Sequence, residues 1–179
     1  IDHDRRHLVV SGLMASFKKI WQDAWSERMA YILTNTILAL LETPNTTLLG
    51  VNRMYADKAY RDMIIGNITD NSVKSFWLEE YNKWDVKYAR EATAAIQNKI
   101  GQFTGNPLIR NIIGQPQSSF DFRRAMDERK IILINLSKGL IGEENMRLLG
   151  GMIITKLYLA AMSRADVGTY ALDTLPPCY

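Results

Sequence analysis

Apolar residues recur along most of this chain three and four positions apart, the spacing that lays one side of a helix against a core. Leu13, Phe17, Ile20 and Trp21 follow it and predict a helix from about Leu8 to Gln22. Met29, Ile32, Leu33, Thr36, Ile37, Leu40 and Leu41 predict a second, with Ser26 as its N-cap and Glu27 in its first turn. Pro44-Asn45 breaks the pattern. Thr46 or Thr47 then caps a short helix carrying Leu48, Leu49, Val51 and Met54. Asp57 opens a helix with Tyr60, Met63, Ile64 and Ile65, closed by Gly66-Asn67. Asp70 opens the next, with Val73, Phe76, Trp77 and Tyr81 inward and Glu79 and Glu80 outward. A long alanine-bearing helix spans about Val86 to Phe103 and ends at Gly105-Asn106-Pro107. A short turn from Leu108 to Ile113 leads to Gly114-Gln115-Pro116.

Beyond that point the pattern changes. Ser119 or Asp121 caps a brief helix through Met126. Lys130–Leu136 contains an unbroken apolar run, Ile131-Ile132-Leu133-Ile134, with no polar alternation, which predicts a strand buried on both faces. Ser137-Lys138-Gly139 makes a turn. A helix from about Glu143 to Ser163 follows, apolar nearly all round and so in need of cover on more than one side. Thr169-Tyr170-Ala171-Leu172 predicts a second strand. The fold class expected is mostly α with a partial α/β core: residues 1–116 an all-helical domain, residues 117–179 a strand–helix–strand unit of a parallel sheet.

Composition narrows the class only a little. Of 179 residues, 47% are hydrophobic, enough for a core. No run of eighteen apolar residues marks a membrane span, and the polar opening Ile1-Asp2-His3-Asp4-Arg5-Arg6 is unlike a signal peptide. A single cysteine, Cys178, excludes an internal disulfide and fits a reducing, cytoplasmic setting. The net charge of +3 is spread evenly: residues 1–116 carry 14 Lys/Arg against 12 Asp/Glu, and residues 117–179 carry 8 against 7. Such an excess permits nucleic-acid contact without demanding it. The start at Ile1 and the closing Leu175-Pro176-Pro177-Cys178-Tyr179 read as the cut ends of an excised segment.

A set of phrases in a fixed order carries a resemblance. They are Trp25-Ser26-Glu27-Arg28-Met29, Leu40-Leu41-Glu42, Phe76-Trp77-Leu78-Glu79-Glu80, Asn98-Lys99-Ile100-Gly101-Gln102-Phe103, the run from Pro107 to Gln115, Met126-Asp127-Glu128, Lys130-Ile131-Ile132-Leu133 and the run from Asn135 to Gly139. Together they resemble the type IV secretion and conjugative coupling ATPases and the related DNA-translocating ATPases of the HerA–FtsK superfamily, over nearly the whole chain. The resemblance implies a RecA-like motor domain interrupted by an all-helical insertion, a ring-forming homo-oligomer, ATP and Mg2+ as cofactors of the parent, and DNA as substrate. It also implies secretion or relaxase-type protein partners, and for coupling proteins an N-terminal membrane anchor. No G-x-x-x-x-G-K-[ST] loop is present, so this segment is expected to bind no cofactor of its own and not to turn over. In the family that loop lies upstream of the helical insertion.

The candidate residues follow from both readings. Lys138, in a loop at the carboxyl end of the first expected strand, is a nucleotide-binding candidate or else a solvated turn residue. Asp173, ending the second, matches the family's metal-shell carboxylate or else caps a turn; Thr174 stands where the family has Glu. Lys99 and Arg110 lie in the most family-like phrases and are DNA-binding candidates. Lys18, Lys19, Arg53, Arg61, Lys87 and Arg90 are weaker ones, because phosphate contact asks only for well-placed cations. Trp21, Trp25, Trp77 and Trp84 read as core rather than base-stacking residues. Glu79 and Glu80 read as an outer helix face. His3 and His7 lack a third ligand, so no metal site is expected. The rival class is a non-catalytic helical module that docks protein or DNA.

Overall fold

A computed structural model describes residues 6–166. These form ten α-helices, and among the described residues there is no strand. The chain divides into two units; of the described residues, 6–10 and 21–117 belong to the first and 11–20 and 118–166 to the second. The first helix, α1 (Arg6–Ile20), contributes to both.

The first unit holds α2 (Glu27–Leu41), α3 (Gly50–Ala56), α4 (Lys58–Asn67), α5 (Asn71–Ser75), α6 (Val86–Gly105) and α7 (Pro107–Ile113). Side-chain caps start most of them. Ser26 Oγ accepts from the Met29 N–H, and a carboxylate oxygen does the same at Asp57, Asp70 and Asp85. Asn106 caps α7, whose first residue, Pro107, has no N–H to satisfy. The expected turn at Leu108–Ile113 is therefore a helix, with Ile109 and Ile113 buried. α2 runs through the middle of the unit and buries Met29, Ile32, Leu33, Thr36, Ile37, Ala39 and Leu40 against α3, α4, α5 and α6. Trp77, Met54, Ile64, Ile96, Ile100, Phe103 and Ile109 are enclosed with less than 2% exposure. Each such side chain contributes about 1.5–3 kcal/mol of transfer free energy.

The helix expected to run on from Asp70 does not keep one register. After α5 the backbone widens into a π-turn over Phe76–Glu80 and then tightens into a 3-10 turn over Tyr81–Lys83. The Tyr81 N–H is shared between the Phe76 and Trp77 carbonyls. The cause is packing: residues five apart come onto one face in the wider coil. Phe76, Trp77 and Tyr81 can then all be buried together, with ring centroids 5.1 Å (Phe76–Trp77) and 4.8 Å (Trp77–Tyr81) apart.

The second unit comprises residues 11–20 of α1, α8 (Phe122–Asp127), α9 (Lys138–Ile141) and α10 (Glu143–Met162), with a closing 3-10 turn at Ser163–Asp166. α1 and α10 approach through small residues. A Cβ on Gly151 would fall 2.6 Å from Ser16 Oγ and 2.9 Å from Ser16 Cβ, and one on Gly12 would collide with the Thr155 methyl. At the other end of α10, Arg123 bonds Asp127 at 2.9 Å and Ser163 Oγ at 2.8 Å, while Arg164 reaches Asp127 at 3.4 Å. This ties α8 to the end of α10.

The expected strand at Lys130–Leu136 is a correction. Residues 131–137 carry neither helix nor strand, and Ile131 and Leu133 are 91% and 92% exposed instead of buried. A strand is held by ladder hydrogen bonds to a neighbour, and no described segment supplies them. Its expected partner, Thr169–Leu172, lies outside the described residues. The parallel sheet and its α/β core are thus absent from the described residues, which are helical. α10 is likewise only partly covered: Leu148 and Leu149 are buried, whereas Ile154, Tyr158 and Met162 are more than half exposed.

Candidate functional site

The residues singled out from the sequence are divided between the two units, and one lies outside the described residues. Lys138 is the first residue of α9, a four-residue helix. Its ammonium sits 2.5 Å from the Glu143 carboxylate, which also takes Arg147 at 2.6 Å. The hydrogen bond and charge of Lys138 hold the Glu143 carboxyl below its ordinary range. Lys138 is therefore spent on an exposed ion pair across the Gly142 turn. Asp173 lies outside the described residues. Lys99 is half-buried on α6 and Arg110 is exposed on α7, and neither makes an ion pair among the described residues. Lys18, Lys19, Lys87 and Arg90 are exposed. Arg53 pairs with Asp57 and lies 3.9 Å from the Tyr60 ring centre. Arg61 donates to the Met54 carbonyl at 2.9 Å. Trp21 and Trp77 are core residues. Among the described residues no group of three or more His, Cys, Asp or Glu could hold a metal ion.

A cavity of about 560 Å³ opens instead on the first unit, between α2, α5 and the π-turn. Tyr31, Asn71, Ser72, Ser75, Phe76, Glu79 and Glu80 line it. Tyr31 is held at two points: its ring meets Phe76 edge-on at 5.2 Å, and its hydroxyl donates to Glu80 Oε2 at 2.8 Å. That hydrogen bond, with burial and the carboxylate charge behind it, raises the phenol above its ordinary value. Glu79 is neutralised by Lys83 at 2.6 Å. Glu80 has no cation partner among the described residues, and the Ser72 and Ser75 hydroxyls and the Asn71 amide make no hydrogen bond there.

From the sequence, Glu79 and Glu80 look like a plain outer helix face, because charged side chains are normally left in water. In the structure Glu80 stands beside Tyr31 and accepts a hydrogen bond from its hydroxyl. The signal available was spacing: Glu80 follows Phe76 by four positions and Trp77 by three, which puts it on their side of a helix.

No helix of the described residues is long and apolar enough to cross a membrane. Comparison with protein-family models, with curated proteins and with solved structures found no match.

Proposed function

We propose that this chain is a segment of an ATP-driven DNA translocase of the conjugative-coupling kind: the helical insertion in its first unit, and in its second a piece of the motor core. The observation that supports this most is the largely uncovered run Ile131–Leu136. Six residues without a charge or a proline, with Ile131 and Leu133 almost fully in solvent, are unusual on a finished surface and ordinary in a central parallel strand. In the intact motor those residues would enter a RecA-like sheet, with α10 packed on one face. The turn carrying Lys138 would then sit at the carboxyl edge, where nucleotides bind in such sheets. Asp173 would take the metal-shell position, and ATP and Mg2+ would belong to the complete site. Lys99 and Arg110, both without acidic partners, would meet the DNA backbone.

The test is the reading frame upstream of Ile1. It is expected to encode G-x-x-x-x-G-K-[ST]; an upstream frame without that loop overturns the motor reading. The segment itself is expected to show background ATPase only.

One observation favours a second reading, a helical module that docks a protein partner. The first unit has its own closed aromatic core and its own cavity, neither of which depends on the exposed run. DNA binding that weakens steeply with salt favours the motor insertion, and salt-insensitive protein capture favours the docking module.

A further inference from the structure

The cavity beside Tyr31 has a chemistry that the motor reading does not use. We propose that it takes a guanidinium group, borne by an arginine side chain or by a small guanidine.

The charge balance of the lining comes first. Glu79 is matched by Lys83, and the nearby Lys74 ammonium is directed to the Ile68 carbonyl at 3.5 Å. Glu80 alone is uncompensated, and only one of its oxygens is occupied, by the Tyr31 hydroxyl. The cavity therefore invites a cation and repels an anion. The cavity is also lined by Asn71, Ser72 and Ser75, exposed residues whose side-chain oxygens take no hydrogen bond among the described residues. A guanidinium presents five N–H donors in one plane and no acceptor, which suits several oxygens spread around a rim. An ammonium offers three donors from a single point and leaves part of that rim unused. An apolar ligand would bury the hydroxyls and the carboxylate without partners.

The aromatic wall adds shape. Tyr31 is 49% exposed and lines the cavity, and Phe76 and Glu80 fix its attitude from two sides. A flat cation stacks on an aromatic ring with a favourable cation–π contribution. The platform includes the π-turn, whose Phe76 meets Tyr31 edge-on and whose Glu80 accepts a hydrogen bond from the Tyr31 hydroxyl. π-turns of this kind are rare and concentrate at functional sites. This inference stands apart from the motor reading, since it uses no residue assigned to nucleotide or DNA.

The test is an NMR titration of the whole chain with N-acetyl-arginine amide, its lysine counterpart and the neutral N-acetyl-citrulline amide. The arginine compound is expected to shift the resonances of Tyr31, Ser72, Ser75 and Glu80 saturably, the lysine compound more weakly, and citrulline not at all. Glu80→Gln is expected to weaken arginine binding about tenfold, while Glu79→Gln stays within about twofold. Both side chains are at the surface, and amide dispersion reports that each variant is folded. Tyr31→Phe, which keeps the ring and drops the hydroxyl, is expected to cost about threefold. Agmatine and an acetyl-Gly-Arg-Gly amide are the two source arms. Tighter agmatine binding assigns the site to a small guanidine and tighter peptide binding to a protein-borne arginine, and either supports the proposal. No saturable shift, citrulline or lysine binding as well as arginine, or equal losses in the two glutamate variants overturns it.

Discussion

The Glu42 side chain is 4% exposed yet charged, and the company it keeps explains why. Burial alone would raise its carboxyl. The Thr69 hydroxyl and N–H, the Asp70 N–H and the Arg6 guanidinium at 3.8 Å reverse that and hold it below the ordinary glutamate value. A depressed folded value makes the charged form a source of stability. That contribution is complete above the unfolded glutamate range of about 4.3 and decays as the pH falls below it towards the lower folded value. Glu42→Gln is expected to destabilise by about 1–3 kcal/mol at neutral pH, because an amide N–H₂ would then face donors. The gap to the unsubstituted chain should shrink in denaturant melts taken at progressively more acid pH; a gap constant with pH would rule this out. Two glycines give a second residue-scale contrast. Gly101 sits inside α6 with nothing within 4 Å of a built Cβ, so Gly101→Ala is expected to stabilise by about 0.5–1 kcal/mol. Gly151→Ala would press on Ser16 Cβ, part of a helix that cannot swing away, and is expected to cost about 1–3 kcal/mol. Thermal midpoints moving in opposite directions would check both.

At the scale of elements, the run Ile131–Leu136 is the informative one. Ile131 and Leu133 stand in water, so Ile131→Lys with Leu133→Lys is expected to change stability by no more than about 0.5 kcal/mol while reducing concentration-dependent association. A thermal midpoint lowered by many degrees would mean that these residues are covered in solution. The same run shows where sequence reading works and where it stops. Caps and breakers are local, and Ser26, Asp57, Asp70 and Asn106-Pro107 stand in the structure where short-range hydrogen bonding puts them. A strand is a relation between two segments, and apolarity at 131–134 cannot by itself supply a neighbour. The cavity was hidden for a related reason. It rests on the Tyr31 hydroxyl meeting Glu80 far along the chain, a pairing that no local pattern announces.

For the whole molecule, the motor reading has a salt signature. Replacing Lys99 and Arg110 together by Ala is expected to lower the slope of log affinity for duplex DNA against log salt by about 2, roughly one per lost phosphate contact. An unchanged slope would remove both residues from the DNA path. Any such work meets a constraint set by α1, whose residues 6–10 belong with one unit and 11–20 with the other. Neither unit is a contiguous stretch of the chain. Truncating ahead of Ser118 yields a C-terminal piece stripped of the helix that Gly151 and Thr155 were shaped to receive. Dissection will have to graft residues 11–20 back on, by linker or circular permutation, before that half can be studied alone.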